Sequence, residues 1–190
     1  PDGGVWAGGT GIWRSANAGS TWTAVCPLSV HVDQHALAFK GTASVSDVWL
    51  GNDGGVFTSA NKGLAWTSRN NGLALTQFFP GAALHPTDAQ KAMGGAQDNG
   101  SLLYSGSLGW NLMLTGDGAS MAFDFTDPDT VRYASWQNLN IVKSFDGGFT
   151  WFNATNGLFD ANTNSTGFIS PFVMCPNDAQ TLIAGSNNVW

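Results

Sequence analysis

The chain has 190 residues, of which 43% are hydrophobic and only 11% are charged, and its formal net charge is −6. This balance excludes an intrinsically disordered chain, and the negative charge argues against nucleic-acid binding, which needs a basic stripe for phosphates. All 13 acidic residues are Asp, and 25 residues are Gly. Because turns favour Gly and Asp whereas helices favour Glu, the composition predicts an all-β protein.

The same composition bears on where the protein acts. No apolar run reaches the length of a membrane span, so we expect no membrane-spanning segment. The chain opens on Pro1-Asp2-Gly3-Gly4, which resembles the interior of a longer protein. Nine Trp, few Lys and many Asn, Ser and Thr are typical of secreted proteins, and we expect an extracellular or cell-surface location.

Short apolar segments return along the chain, each bounded by Gly, Asn, Asp or Pro. One group predicts the second strand of a repeated unit, at 4–8, 47–51, 91–95, 131–135 and 181–185. A further group predicts the third strand, at 11–15, 56–59, 102–105 and 141–144. Turns with proline come before three of the second strands, at 85–88, 127–129 and 175–178. Alternating apolar residues between such turns predict antiparallel hairpins.

Each third strand is followed by a short turn that ends on tryptophan, which we call the Trp turn. The turns cover 15–22, 59–66, 105–110 and 144–151, and the third of them is shortened. Their tryptophans Trp22, Trp66, Trp110 and Trp151 are 44, 44 and 41 residues apart. A period in the low forties, with Gly and Trp in every copy, predicts the four-stranded blades of a β-propeller.

The repeats predict a single β-propeller region with a partial first blade at 1–30, three blades at 31–74, 75–116 and 117–160, and a partial blade at 161–190. These four to four and a half blades favour an incomplete ring within a longer chain or assembly. Alternatively, the strand near 168–174 closes a four-bladed ring with 5–22 and leaves 181–190 as a surplus strand. Ring closure also decides whether Cys26 and Cys175 can pair.

The fourth Trp turn, Ser144-Phe145-Asp146-Gly147-Gly148-Phe149-Thr150-Trp151, resembles the Asp-box, or BNR repeat, of sialidases, sortilin-type receptors and xyloglucanase-like glycosidases. The resemblance covers nearly the whole chain and implies a propeller, but enzymes and binding proteins share this repeat. It implies that the Asp or Asn bonds its own turn, that Gly is left-handed and that Trp packs between blades. The residues with these structural roles are Ser15, Asn17, Gly19, Trp22, Ser59, Asn61, Gly63, Trp66, Trp110, Ser144, Asp146, Gly148 and Trp151.

The resemblance also implies that a site lies where the turns after the second strands meet the connections between blades. This rim collects the segments His31-Val32-Asp33-Gln34-His35, Asn52-Asp53-Gly54-Gly55, Gln97-Asp98-Asn99-Gly100 and Gly116-Asp117-Gly118. A group of secreted bacterial Asp-box proteins is similar in this series and has no settled activity. Three interpretations of the rim therefore stay open.

The first interpretation is structural, with the rim Asp side chains capping N–H groups of their own hairpins. The second is a divalent metal site. In an extended segment, the period of two places His31, Asp33 and His35 on one side, where they would suit a transition metal, with Asp53 as a further ligand.

The third interpretation is glycoside hydrolysis, with Asp98 and Asp117 as catalytic acid and base. For ligand binding we expect Asp53, Phe79 and Trp136, because aromatic rings near the rim can stack on sugars, although such rings also serve as core between blades. We expect an extracellular binding or scaffold module for a polysaccharide or protein partner. The alternative is an inverting glycoside hydrolase of the xyloglucanase-like type.

Overall fold

The computed structural model describes residues 4–42, 45–163 and 165–190, so the opening residues 1–3 lie outside the described part. These ranges contain seventeen short β-strands and no α-helix. The strands are β1 Val5–Gly8, β2 Ile12–Ser15, β3 Thr23–Ala24, β4 Gln34–Thr42, β5 Val45–Asn52, β6 Gly55–Ser59, β7 Thr67–Ser68, β8 Ala83–Leu84, β9 Lys91–Ala96, β10 Gly100–Ser105, β11 Asn111–Leu114, β12 Met121–Phe123, β13 Arg132–Trp136, β14 Asn140–Ser144, β15 Phe152–Asn153, β16 Phe172–Cys175 and β17 Asp178–Ala184.

The strands form five antiparallel sheets in which chain neighbours pair. Three sheets have four strands each, namely β4 to β7, β8 to β11 and β12 to β15. The first sheet has three strands, β1 to β3, and the last pairs β16 with β17. This meander follows from the Gly, Asn and Pro turns between short apolar runs. The prediction of an all-β chain made of four-stranded antiparallel blades is confirmed.

The chain folds into two compact units, Pro1–Leu75 and Thr76–Trp190. The first unit has one core, in which Ile12, Val30, Leu50 and Phe57 are buried. Ile12 lies on β2 and Leu50 on β5, so this core joins the first two sheets of the chain by apolar contact. Burial of such side chains is the main term that stabilises the unit.

The second unit has two cores on opposite faces of the sheet β12 to β15. Met121, Ala134 and Val142 belong to one core, together with Met93 of β9. Their chain neighbours Ala122, Tyr133 and Ile141 belong to the other core, together with Phe172 of β16. Because successive strand residues point to opposite faces, a sheet buried on both sides needs continuous apolar runs, which these strands have.

The last sheet is a two-stranded hairpin. In it β17 pairs with β16 over four residue pairs, and Gly185 bridges to Val189. The final segment therefore forms a sheet with the strand that precedes it.

The state of the cysteines and the character of the helical turns bear on two questions that the sequence raised. Both cysteines, Cys26 and Cys175, are free thiols. None of the helical turns in the described ranges has the length and apolar character that a membrane crossing requires.

Candidate functional site

The segment His31 to His35 bends at Asp33, and only its last two residues belong to β4. Asp33 has a φ of +62°, in the left-handed region, and β4 begins only at Gln34. This bend interrupts the alternation that the metal hypothesis required, because two-residue periodicity holds only in extended backbone. The His31 ring instead packs against the hairpin after β5, where a Cβ added at Gly54 would overlap it.

The predicted metal ligands are consequently not assembled into one centre. His31 Nδ1 lies 3.1 Å from the carbonyl oxygen of Val32, whereas His35 Nε2 pairs with Asp53 Oδ1. Within residues 4–42, 45–163 and 165–190, no three His, Cys or Asp side chains converge as metal ligands would. The segment that holds His31, Asp33 and His35 is therefore not extended throughout, because the left-handed Asp33 lies between the two histidines.

The pair formed by His35 and Asp53 is an exposed polar feature of this rim. The His35 side chain is 66% exposed, whereas that of Asp53 is 14% exposed. The carboxylate fixes the imidazole by its Nε2 atom and leaves the other side of the ring towards solvent. A histidine oriented in this way can contact a ligand or accept a proton, and it carries positive charge only when protonated.

Side-chain amides hold the surrounding loops in place. Asn52 Nδ2 donates to the carbonyl oxygen of His31 at 2.9 Å, and Gln34 Nε2 donates to the same oxygen at 2.7 Å. Asn70 Oδ1 accepts from the Val56 N–H at 2.7 Å, and Asn70 Nδ2 donates to the carbonyl oxygen of Gly54, in the turn between β5 and β6, at 2.7 Å. Sequence analysis missed this role of Gln34 and Asn70. Gln34 lies opposite Asn52 at the open end of the β4–β5 hairpin, a register that no local sequence pattern reveals.

In the second unit, the two predicted catalytic residues are connected through the backbone. Asp98 lies in the turn between β9 and β10 with a φ of +57°. Asp117 Oδ1 accepts from the backbone N–H of Asp98 at 2.8 Å, and Asp117 Oδ2 accepts from the Gln137 side-chain amide. The Asp117 carboxylate therefore joins three loops. This corresponds to the structural interpretation, with the difference that Asp117 caps a neighbouring hairpin and not its own.

Three glycines bring these loops close together. A Cβ added at Gly95 would overlap the backbone of Ala119, and one added at Gly118 would overlap the backbone of Gly100. Gly100 itself has a φ of +77°, which disfavours other residues. Because the backbones come so close, the Asp117 side chain can reach the turn 97–100 from the segment 116–118 and connects the two by its hydrogen bond.

The predicted aromatic contacts lie in different environments. Trp136 is half-buried and packs against the core that contains Met93. Phe79 is half-buried too, and its backbone N–H donates to the carbonyl oxygen of Gly95 at 2.9 Å. Phe159 is exposed and meets Trp190 edge to face, with ring centroids 4.5 Å apart. Of the three phenylalanine and tryptophan rings Phe79, Trp136 and Phe159, the last has the largest free surface for a ligand.

Beside Phe159 lies a buried carboxylate that sequence analysis missed. Asp160 is 4% exposed, and its Oδ2 accepts from Ser186 Oγ and, at 3.2 Å, from Asn188 Nδ2. Trp190 Nε1 donates to the same Ser186 hydroxyl at 3.0 Å. These bonds attach the loop that contains Asp160 to the chain after β17. No local sequence pattern predicts these hydrogen bonds, because the β16–β17 hairpin separates Asp160 from Ser186 and Asn188 along the chain.

The full Trp turns share one hydrogen-bond frame, which is clearest in the fourth. Ser144 Oγ donates to Asp146 Oδ1 at 2.8 Å and accepts from the Gly148 N–H at 2.8 Å. Asp146 also accepts from the N–H groups of Phe149 and Thr150 and from the Thr150 hydroxyl. These bonds, led by those from Thr150, lower the pKa of Asp146 to about 2.

The same frame returns in the first two turns with Asn in place of Asp. Ser15 and Ser59 each accept from the Gly N–H four residues on at 2.8 Å, and the Asn Oδ1 accepts from the N–H four residues after it at 2.8 Å. All three glycines are left-handed; they are Gly19, Gly63 and Gly148. An Asn amide oxygen therefore serves as well as a carboxylate at this position.

The tryptophans that end these turns differ in their contacts. Trp66 Nε1 donates to Val25 O at 2.7 Å, and Trp151 packs against the core that contains Met93. Trp22 and Trp110 are 43% and 39% exposed. Two of the four rings thus have substantial exposed surface.

No protein-family model matches the chain, and no curated protein matches it. Among solved structures, the chain is similar to an ancestral GH74 enzyme at 16% identity and a TM-score of 0.45, over 97% of this chain and 26% of that one. A GH74 enzyme of Niastella koreensis shows 20% identity and a TM-score of 0.44, over 97% of this chain and 31% of that one. YCF48 from Cyanidioschyzon merolae shows 12% identity and a TM-score of 0.41, over 98% of this chain and 78% of that one. The chain thus spans about a quarter of the first structure.

Proposed function

We propose that this chain is an extracellular β-propeller module with Asp-box turns, which binds or scaffolds a polysaccharide or protein partner through its rim loops. The observation that carries the proposal is the engagement of Asp117, whose two oxygens accept from the Asp98 N–H and the Gln137 amide. A general acid or base needs an oxygen that can reach a substrate proton. Asp117 instead fixes three loops relative to one another.

Rigid loops with exposed polar and aromatic groups support recognition. Binding loses less free energy when the contacting loops are ordered beforehand, because less conformational entropy is lost. Hydrogen bonds made by the side-chain amides of Gln34, Asn52 and Asn70 order the rim of the first unit. The exposed His35 ring is the contact that these loops offer, and the exposed Phe159 ring is a separate contact on the second unit.

The substitution Asp117→Asn separates this proposal from the glycoside hydrolase alternative. Asn keeps an oxygen acceptor for the Asp98 N–H, and a flipped Gln137 amide can accept from the new NH2 group. Any acid–base role of the carboxylate is lost, and circular dichroism checks that the variant folds. Xyloglucan, mixed-linkage β-glucan and arabinoxylan serve as probes. Binding is measured by retardation in polysaccharide-containing gels, and hydrolysis by the release of reducing ends.

We expect no release of reducing ends by either the original chain or the variant. Retardation in one of the gels, weakened by His35→Ala, would identify a polysaccharide partner, whereas the absence of retardation would leave a protein partner. Reducing ends released by the original chain and lost in a folded Asp117→Asn variant would contradict the proposal and establish the hydrolase.

A further inference from the structure

The fourth Trp turn, taken together with the residue after its tryptophan, differs from the first two at three positions whose side chains the hydrogen-bond frame does not use. These are the second, sixth and ninth positions, counted from the initial Ser. The first turn has Ala16, Ser20 and Thr23 there, and the second has Ala60, Leu64 and Thr67. The fourth has Phe145, Phe149 and Phe152. All three turns form the same frame, so the three rings are not required for the turn itself.

The three rings are exposed. Phe145 is 57% exposed, Phe149 is 90% exposed and Phe152 is 56% exposed. The rings of Phe145 and Phe152 lie 6.0 Å apart with an interplanar angle of 54°. Single exposed apolar residues are ordinary, but a group of aromatic rings at one turn is typical of an interaction surface. Because neither core packing nor the hydrogen-bond frame requires these rings, we infer that they serve to bind a partner.

A lysine stands beside these rings. Lys143 Nζ lies 4.8 Å from the ring centroid of Phe145 and 5.0 Å from that of Tyr133. In the described part of the chain, no carboxylate forms an ion pair with this ammonium group. Its charge is thus held against aromatic faces and is available to an anionic group of a partner. We call Lys143, Phe145, Phe149 and Phe152 the phenylalanine surface.

We propose that the phenylalanine surface binds a protein segment in which apolar side chains stand next to an Asp or Glu. The apolar side chains pack between the tilted rings, and the carboxylate pairs with Lys143. Aromatic residues are enriched at the centres of protein interfaces, where they carry much of the binding free energy. Charge complementarity between Lys143 and the acidic residue sets the orientation of the segment.

A polysaccharide fits this surface less well. Sugar binding combines ring stacking with hydrogen bonds to hydroxyls, and the polar groups of this turn are already engaged. The Ser144 and Thr150 hydroxyls both donate to the Asp146 carboxylate. The 54° tilt between Phe145 and Phe152 also offers no continuous platform for a flat sugar chain.

The phenylalanine surface is separate from the rim site of the proposed function. Within its own sheet, the turn 137–139 lies at one end of β14 and the fourth Trp turn at the other end. The variants that test the surface therefore include no rim residue. Loss of binding in a variant of the phenylalanine surface therefore does not test the rim site, and loss of binding in a rim variant does not test the phenylalanine surface.

The test replaces the three rings by the residues of the first turn in the triple variant Phe145→Ala, Phe149→Ser, Phe152→Thr. Because the first turn forms the same frame with these residues, we expect the variant to fold. Circular dichroism checks this, and the single variant Phe149→Ser replaces the triple if it does not fold. The matched control is Leu64→Ser, an exposed apolar residue at the sixth position of the second turn.

The probe is a library of random peptides displayed on phage and selected on the original 190-residue chain. We expect enriched peptides to combine apolar residues with Asp or Glu. In calorimetric titrations with such a synthetic peptide, the triple variant should weaken binding by roughly tenfold or more, as for the centre of an interface. Lys143→Gln should weaken acidic peptides more than their amide counterparts, and Leu64→Ser should change nothing.

Other outcomes overturn the inference. The first is that no peptide is enriched, and the second is that the peptides bind the triple variant and the original chain equally tightly. The third is that Lys143→Gln weakens the acidic peptides and their amide counterparts to the same extent. Glycan-array binding that the triple variant loses would assign the surface to a polysaccharide instead. Self-association in sedimentation experiments that the triple variant abolishes would assign it to a second copy of the chain.

Discussion

At the residue scale, Asp146 joins a local turn to the acid stability of the chain. Its hydrogen bonds from Thr150, Ser144 and Phe149 lower its pKa from 3.8 to about 2. A group whose pKa is lower in the folded state than in the unfolded state stabilises the fold above the unfolded pKa, and this contribution is lost as pH falls through the folded pKa. The stabilisation by Asp146 is therefore complete above about pH 4 and disappears towards about pH 2.

We predict that Asp146→Asn flattens the pH dependence of the free energy of unfolding between about pH 4 and pH 2, because Asn has no proton to bind. Asn17 and Asn61 hold the same position in the other turns, so the variant should fold. Urea unfolding at a series of pH values measures the effect. The converse variant Asn61→Asp should add acid sensitivity, and an unchanged slope in both variants would contradict the prediction.

Single residues also mark where sequence reasoning ended. The resemblance to the Asp-box implied the roles of Asp or Asn and of Gly in the Trp turns, and the structure has the corresponding hydrogen bonds and left-handed glycines. The extended segment that the metal hypothesis assumed for His31 to His35 is interrupted, because Asp33 is left-handed and nothing in the sequence reveals this. Asn and Asp enter this region more readily than most residues, which makes such a bend permissible but not predictable. The bond from the Asp98 N–H to Asp117 depends on tertiary structure and has no local signal.

At the element scale, the proline turns show one function performed by different residues. In the turn before β9, His85 Nδ1 accepts from the N–H groups of Thr87 and Asp88 at 3.3 and 3.0 Å. In the turn before β13, Asp124 Oδ1 accepts from the N–H groups two and three residues on at 2.8 and 3.2 Å. A buried imidazole and a buried carboxylate thus cap equivalent turns.

We predict that His85→Ala lowers the free energy of unfolding by about 2 kcal/mol, because two N–H groups lose their acceptor and the ring leaves its contact with Phe123. His85→Asn places an amide oxygen near the position of Nδ1 and should recover about half of the loss. Urea unfolding monitored by tryptophan fluorescence measures both. Equal loss in the two variants would show that the ring packing alone matters.

Strand existence was predictable and strand extent was not. The Gly, Asn and Pro turns delimit the apolar runs, so the order of strands could be read from the sequence. The run 47–51 is nevertheless part of a longer strand, Val45–Asn52, which pairs with Gln34–Thr42. The additional length comes from backbone pairing that includes polar residues, to which hydrophobic periodicity is insensitive.

At the scale of the whole molecule, the two compact units have separate cores. Leu50 is 1% exposed in the core of the first unit, and Met93 is fully buried in the second unit. The division after Leu75 reflects packing distributed over many residues. No single motif encodes such a division.

We predict that Leu50→Ala and Met93→Ala each cost about 2–5 kcal/mol, as cavity-forming substitutions do. Hydrogen exchange should show the loss of protection in residues 4–75 for Leu50→Ala and in residues 76–190 for Met93→Ala, since each unit opens around its own core. Leu28→Ala and Leu108→Ala, which change fully exposed side chains, are the matched controls. A uniform loss along the chain in both variants would show that the units unfold together.

The close contacts at Gly95, Gly100 and Gly118 have a consequence for how this chain can be altered. These positions admit no side chain, whereas Asn99 in the turn between them is exposed. A directed-evolution library that randomises position 99 and retains the glycines and the left-handed Asp98 would thus vary the exposed residue of the turn while keeping the framework beneath it. The glycines thus make this short turn a position at which new binding specificities can be selected.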